Sequence, residues 1–189
     1  ERRTDIAVEN PATGEIIPGV ALRWNISRDA RSYTFYLRRD LVWSNGDPLT
    51  AEDFLFSLRR AADPRTAASA ATMLLPIQNA REVLAGELPV EELGVELLDE
   101  FTLQIALTGP TPSFLGLLNH PIAFPVNRRN IEEHGAEFAR PGKLVSNGAY
   151  TLSRWVPRVQ IVLEKNPLFR EAAQTLVERV HYYPMEDHS

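Results

Sequence analysis

Histidine is the side chain most often used to bind metals and to move protons, and this sequence has four of them. Their positions are too dispersed for the ligand spacing of a metal site: His120, His134, His181 and His188. The run Glu132-Glu133-His134 has one histidine, whereas a zincin-type helix needs two histidines one turn apart. We interpret this run as a surface carboxylate cluster beside an exposed histidine, and we predict no metal and no other cofactor.

Patterns for nucleophilic catalysis and phosphate binding are also missing from the sequence. A serine nucleophile needs a positioned base and an oxyanion hole, and no Gly-x-Ser-x-Gly turn is present. Ser44-Asn45-Gly46-Asp47 is better explained as a turn, and Asn147-Gly148 does not make a phosphate loop by itself. The sequence has no cysteine, which removes disulfides and thiolate chemistry. Together these observations argue against an enzyme.

Charge and hydropathy exclude two further classes of protein. The 189 residues carry a formal net charge of -5, whereas nucleic-acid-binding proteins usually present a concentrated basic surface. No apolar run reaches the roughly 20 residues of a membrane span. The composition is that of a globular protein that can bury a substantial core, as one domain or as two small ones.

The stretch from Tyr33 to Arg60 contains the elements that position the polar turn. Tyr33, Phe35 and Leu37 alternate with polar neighbours, a period that predicts a half-buried strand. The apolar run continues through Trp43, so the strand is predicted to stop only at Asn45-Gly46-Asp47-Pro48.

A helix is predicted directly after this turn. Thr50 stands three residues before Asp53, which is the spacing of a helix amino-terminal cap, and acidic residues in the first turn suit the helix dipole. Phe54 and Leu58 recur at helical spacing, and Asp63-Pro64 closes the segment.

The same stretch resembles a known family in the order of its residues. YTFYLR, then WSNGDPLTAEDF, then a helix ending in RRAADP resemble the signature region of the family 5 extracellular solute-binding proteins, the oligopeptide- and dipeptide-binding components of ABC importers. The resemblance continues in order through Leu93-Gly94-Val95, Asp99 to Leu103, His120-Pro121, Asn147-Gly148-Ala149-Tyr150 and Glu164-Lys165-Asn166-Pro167.

This resemblance implies an α/β fold with mixed sheets, like part of a type II periplasmic binding protein. Residues 1–127 would form the satellite lobe, and residues 128–189 a strand-rich part of the first ligand-binding lobe. The family fold begins with an earlier strand and helix and continues into a hinge and a second lobe, so the sequence is expected to be a fragment that does not close around a ligand.

The implied function is capture of peptides, or of a related small solute, outside the cytoplasm. The intact protein would be in the periplasm or at the cell surface, anchored or secreted, and would deliver its ligand to the membrane subunits of an ABC importer, with no nucleic acid as partner. An alternative from another class is a ligand-sensing module of the same fold in a regulator.

Three residues are candidate ligand contacts. Aligning Asp63-Pro64-Arg65-Thr66 with the family places Ala70 where oligopeptide binders carry a tyrosine, which argues against a direct peptide contact by this loop. Asn147 and Tyr150 open a strand of the binding lobe, and framework roles are favoured for both. The residues that identify the family are interpreted as structural: Tyr33, Trp43, Asn45, Gly46, Asp47, Thr50, Asp53, Phe54 and Gly148.

Aromatic side chains could also line an apolar cleft, because their rings bury large areas and some carry polar tips. Packing is favoured for Trp43, and Trp155 is left open, with Tyr182 and Tyr183 as further candidates.

The rest of the chain is predicted to form short elements. We expect a loose hairpin before Gly19, helix-favouring segments over 67–75 and 77–84 with a cap at Gly86, a short helix after Ser113 and another over 127–135. The predicted strands are 95–98, 101–107, 122–126, 148–155, 159–164 and 177–183.

Overall fold

The computed structural model describes residues 6–9 and 12–184, and these fall into two compact units. The larger unit comprises residues 6–9, 12–39 and 50–126, and the smaller unit comprises residues 40–49 and 127–184. The predicted division was a single boundary after residue 127, whereas here a second segment, 40–49, belongs with the carboxy-terminal part. The assignment of the units to lobes stays a prediction.

Antiparallel strands form the framework of the larger unit. Strands β1 (Ala7–Glu9) and β2 (Ile16–Pro18) make the hairpin predicted before Gly19, whose Asn10-Pro11 turn lies outside the described residues. A four-stranded sheet follows in the order β3-β4-β6-β5, with all neighbours antiparallel. Its strands are β3 (Ala21–Ile26), β4 (Ser32–Leu37), β5 (Val95–Asp99) and β6 (Thr102–Ala106).

The core of the larger unit lies on one face of this sheet. Tyr33, Phe35 and Leu37 are at most 3 % exposed, which confirms the alternation predicted for this strand. Helix α1 (Ala51–Ala62) contacts β5 and β6 and buries Phe54 and Leu58. Burial of each such side chain contributes about 1.5–3 kcal/mol, so this face accounts for much of the stability of the unit.

Helix α1 begins where its cap was predicted. The Thr50 N–H donates to the Asp53 carboxylate at 2.9 Å, which satisfies one donor that the helix leaves unpaired. At the other end, the Asp63 N–H donates to the Arg59 carbonyl, and Pro64 begins a 3₁₀ turn. The predicted start and end of the helix are therefore confirmed.

The prediction that the strand beginning near Tyr33, now β4, extends to Trp43 is wrong. Strand β4 ends at Leu37, and residues 40–49 fold into the smaller unit as a narrow loop. The Trp43 N–H donates to the Asp47 carbonyl at 2.8 Å, and the Leu49 N–H donates to the Leu41 carbonyl at 3.0 Å. Trp43 is buried and Leu41 and Val42 are half-buried, but the backbone of this run pairs within the loop and not with the sheet.

Helical structure after α1 is shorter than predicted. The alanine-rich segment forms only the 3₁₀ turn Ala71–Leu74, and helix α2 covers Ala80–Leu84. Ile77 lies outside the helix because it pairs with Leu107 in an isolated bridge. Gly86 has a φ of +74°, which confirms its predicted left-handed conformation after the helix.

The segment predicted as a strand over 122–126 is instead a turn. After helix α3 (Phe114–Leu117), a 3₁₀ turn covers Pro121–Ala123, and Nδ1 of His120 accepts from the Ile122 N–H at 3.2 Å. The Val126 N–H donates to Oγ of Ser57 at 2.7 Å. The Ile122 and Val126 N–H groups therefore have hydrogen-bond partners although no strand lies beside them. The turn role predicted for His120 is confirmed.

The smaller unit combines one helix with a three-stranded antiparallel sheet. Helix α4 is Arg128–His134, and the sheet order is β7-β8-β9. Its strands are β7 (Tyr150–Val156), β8 (Gln160–Lys165) and β9 (Arg179–Tyr182), close to the predicted bounds. Within residues 6–9 and 12–184, no helix has both the length and the apolar character to cross a membrane.

Candidate functional site

The three candidate ligand contacts lie in different units. Ala70 belongs to the larger unit, where it precedes the 3₁₀ turn Ala71–Leu74 and is half-buried. Asn147 and Tyr150 belong to the smaller unit and are also half-buried. The segment that carries Asn147 and Tyr150 is hydrogen-bonded on both sides within the smaller unit, and we take it as the candidate site.

Two serines fix the amino-terminal side of this segment. The Ser44 N–H donates to the Ser146 carbonyl at 2.8 Å, and the Ser146 N–H donates to Oγ of Ser44 at 3.1 Å. Oγ of Ser146 in turn accepts from the Gly148 N–H at 3.0 Å. The polar turn that identifies the family is thereby connected to the backbone on both sides of Asn147.

Asn166 fixes the carboxy-terminal side of the segment and is completely buried. Its Nδ2 donates to the Gly148 carbonyl at 2.9 Å, and its backbone N–H donates to the Ala149 carbonyl at 2.9 Å. Its Oδ1 accepts from the Leu168 N–H at 3.0 Å. A buried amide that has partners for both ends holds its neighbours firmly, because losing any one partner would leave a buried polar group unpaired.

Sequence reasoning did not identify Asn166 as an anchor. The signal that could have done so is the Asn166-Pro167 pair directly after a strand, since Asn-Pro favours turn initiation. Which carbonyl the side chain reaches depends on the pairing of β7 with β8, which no local pattern contains.

Tyr150 uses its hydroxyl within the protein. The phenol donates to the Val177 carbonyl at 3.0 Å, and the residue pairs with Lys165 across the sheet. This contact is of the framework kind that was favoured for Tyr150, and a ligand contact by its ring stays a prediction.

The polar turn at residues 45–47 is closed by its own side chains. Nδ2 of Asn45 donates to Asp47 at 2.9 Å, and the Asp47 N–H donates to Oδ1 of Asn45 at 3.1 Å. Gly46 has a φ of +88°, a conformation that favours glycine. Asp47 also forms an ion pair with Arg129 at 3.0 Å. Residues 45–47 therefore form the predicted turn, and their purely structural role stays a prediction.

The aromatic candidates divide into one buried and three exposed side chains. Trp43 is 1 % exposed, which confirms its packing role. Trp155, Ile161 and Tyr182 are direct neighbours across β7, β8 and β9, and the two aromatic residues are more than half exposed. Tyr183 is 65 % exposed, and its ring stacks on that of His181. This row could contact an apolar group.

The perturbed carboxyl groups lie outside the candidate segment. In each of four carboxyl groups, a hydrogen bond from a nearby side chain is the main cause of a lowered pKa. The pairs are Asp29 with Ser27, Asp63 with Arg65, Asp99 with Thr102, and Glu137 with Lys143. In the described part of the chain, no cluster of three or more histidine or carboxylate side chains could hold a metal. The segment around Asn147 offers hydrogen-bonding groups to a ligand.

Comparison with known proteins gives one family for nearly the whole chain. The family described as bacterial extracellular solute-binding proteins, family 5 Middle, matches residues 15–189. The periplasmic oligopeptide-binding protein OppA of Escherichia coli K12 is 42 % identical over 174 residues, which are 91 % of this chain and 32 % of that protein. The probable deoxycholate-binding periplasmic protein YgiS of the same organism is 40 % identical over 92 % of this chain and 33 % of its own length.

A solved structure shows the same fold. Haemophilus influenzae OppA in complex with RPPGFSPFR superimposes with a TM-score of 0.89 and 33 % identity, over 96 % of this chain and 36 % of that one. The predicted fold class, part of a type II periplasmic binding protein, is confirmed. This chain spans about a third of the length of the relatives that it matches.

Proposed function

Because the chain belongs to the bacterial extracellular solute-binding proteins of family 5, we propose that it serves in capturing a peptide outside the cytoplasm for an ABC importer. The observation that carries this proposal is the match over residues 15–189. The membrane subunits of the importer would be its partners, and the intact protein would be anchored at the membrane or secreted.

The class of solute rests on two relatives with different names. An oligopeptide-binding protein and a probable deoxycholate-binding protein are 42 % and 40 % identical to this chain, so overall identity does not separate the two ligands. We favour a peptide because the similar OppA structure is a peptide complex. A ligand-sensing module of a regulator stays an alternative hypothesis that none of the relatives named above supports.

The mechanism would be noncovalent. Peptides are commonly held by backbone pairing of the strand-addition kind, and binding proteins commonly close two lobes about a hinge. The role of the present chain would be to offer a rigid segment at Asn147, held from both sides by Ser146 and Asn166. A preformed segment lowers the ordering cost that binding must overcome. In this proposal Ala70 makes no aromatic contact with the peptide.

The test uses the complete gene product that contains this sequence. The protein is purified without denaturation, its bound small molecules are identified by mass spectrometry, and solution scattering is recorded with and without a peptide mixture. We expect peptides to co-purify and the radius of gyration to fall when peptide is added. A bound solute of another class would contradict the peptide assignment. If no small molecule co-purifies and the radius of gyration does not change, the proposed capture itself is contradicted.

Variants then test the candidate segment. Asn147→Ala should weaken peptide binding, whereas Asn25→Ala, which changes an exposed asparagine of β3 in the larger unit, should not. Equal affinities of the two variants would remove Asn147 from the proposed site.

A further inference from the structure

A cavity of about 410 Å³ lies within the larger unit, apart from the candidate segment. This volume is within the range of small-molecule sites, roughly 300–1,000 Å³. It is bounded by the end of α1, the start of α2, the 3₁₀ turn Val90–Glu92 and strands β5 and β6. Its polar lining residues are mostly charged or amide side chains, and those that matter here are Arg59, Gln78, Glu91, Glu92, Glu96 and Gln104.

The wall of this cavity is rigid at Gly94. Three backbone hydrogen bonds connect the segments that meet here. The Gln78 N–H donates to the Ala106 carbonyl at 2.9 Å, the Gly94 N–H donates to the Gln78 carbonyl at 2.9 Å, and the Ala106 N–H donates to the Gly94 carbonyl at 2.8 Å. A Cβ at Gly94 would lie 2.7 Å from Cβ of Gln78 and 3.0 Å from the Ala106 oxygen, so these backbones approach as closely as glycine permits. The cavity is therefore preformed, since its wall has little room to rearrange.

Arg59 gives the cavity a positive group that is incompletely paired. Its Nη2 donates to the Glu91 carbonyl at 3.0 Å, while its Nε is covered by protein and has no acceptor. Among the residues that the structure describes, no carboxylate lies within ion-pair distance of Arg59. A ligand in the cavity can reach only the remaining Nη donors, because Nε is covered; a carboxylate suits these donors, since it can accept two parallel hydrogen bonds from the two Nη atoms.

The remaining charges of the lining are negative. Glu91, Glu92 and Glu96 are exposed side chains of the wall, and no described cation pairs with Glu92 or Glu96. Nδ2 of Asn79 donates to the Glu92 carbonyl at 2.8 Å, which holds this part of the wall in place. Three carboxylates against one guanidinium favour a ligand with more positive than negative groups.

We propose that this cavity binds a small solute with one carboxylate and two amino groups, the chemistry of a free basic amino acid. The carboxylate pairs with Arg59, and the ammonium groups face Glu92 and Glu96. Nothing in the proposed capture of peptides requires this second site, so the two proposals stand or fall separately.

Calorimetric titration of the 189-residue chain tests the proposal with four small probes. L-Lysine carries the full set of groups, cadaverine lacks only the carboxylate, L-norleucine lacks the side-chain amine, and L-glutamate has the opposite net charge. We expect L-lysine to bind at least about tenfold more tightly than each of the other three, because each lacks a complementary charge. No binding of L-lysine at millimolar concentration, or equal binding of all four, would overturn the proposal.

Variants locate the site. Arg59→Gln should weaken L-lysine binding about tenfold and should not weaken cadaverine binding, because the diamine has no carboxylate to lose and is repelled by the guanidinium. The matched control Arg81→Gln changes an exposed arginine of α2 and should alter neither affinity. Should Arg59→Gln fail to fold, as judged by circular dichroism, Glu96→Gln provides the second test. It should weaken L-lysine binding several-fold, because it removes one ammonium partner. Unchanged L-lysine affinity in a folded Arg59→Gln or Glu96→Gln variant would contradict the assignment.

Discussion

The two units of this protein hold their residues in place by different means. The larger unit closes an apolar core in which side chains of the sheet and α1 are almost completely buried, among them Tyr33, Phe35, Phe54, Leu58, Leu103 and Ile105. In the smaller unit, the sheet buries Val162 but leaves Trp155 and Tyr182 more than half exposed. Its buried polar residues are asparagines that bind backbone groups: Asn127, Asn130 and Asn166.

This difference shows which kind of contact stabilises each unit. Apolar burial is nondirectional, so the core of the larger unit depends on the amount of surface removed from water. Hydrogen bonds depend on direction and distance, so the segment at Asn147 depends on a few partners in the right geometry. The unit with the candidate peptide site is therefore the one in which single polar contacts should matter most.

Truncation of an aromatic side chain in each unit gives the largest expected contrast. Phe35→Ala should lower the free energy of unfolding by about 3–5 kcal/mol, since Phe35 is completely buried. Trp155→Ala should lower it by only about 1–1.5 kcal/mol, because more than half of that side chain is already exposed. Urea unfolding followed by circular dichroism measures both. If the two variants lose similar amounts of unfolding free energy, the proposed difference between the two units is contradicted.

Close packing of the backbone in the larger unit predicts the next effect. Gly94→Ala should cost about 3 kcal/mol, because its Cβ would overlap Gln78 and the Ala106 carbonyl. Gly109→Ala is the matched control, since a Cβ there meets nothing within 4 Å. Thermal unfolding of the two variants should differ by several degrees, and equal melting temperatures would show that the wall at Gly94 can yield.

Removal of the buried amide tests the smaller unit. Asn166→Ala leaves the Gly148 carbonyl and the Leu168 N–H without their partner, at a cost of about 2 kcal/mol. Asn166→Asp keeps the acceptor for Leu168 but sets a carboxylate oxygen against the Gly148 carbonyl, so it should cost at least as much as Asn166→Ala. Hydrogen exchange measured by NMR should become faster for amides of 148–150 and stay unchanged in β4. Faster exchange in both units would contradict the view that the two units are stabilised independently of each other.

The smallest effect concerns an exposed ion pair of the smaller unit. The Lys143 ammonium, with help from Arg140, lowers the pKa of Glu137. A lowered folded-state pKa means that this contribution to stability is present above the unfolded-state pKa and is lost as pH falls through the folded one. Lys143→Met should raise the pKa of Glu137 towards 4.5, as followed by carbon NMR. An unchanged pKa would show that the pair does not persist in solution.

The sequence by itself determined the elements whose signals are local. The alternation of Tyr33, Phe35 and Leu37 predicts β4, and the spacing of Thr50 and Asp53 predicts the start of α1. The β5–β6 hairpin follows for the same reason, because neighbours along the chain contain the strand period and the turn between them. The order of these elements also identified the family.

Only the tertiary structure decided the partners that are distant along the chain. The apolar run to Trp43 looked like more strand, yet its backbone pairs within a loop of the smaller unit. Residues 122–126 have strand-like composition, yet Val126 pairs with Ser57. The bonds of Asn166 to Gly148 and the cavity at Arg59 likewise arise only when remote segments meet. Local patterns reflect the conformational preference of the backbone, whereas the partner of a buried polar group depends on which segments the folded chain brings within hydrogen-bond distance.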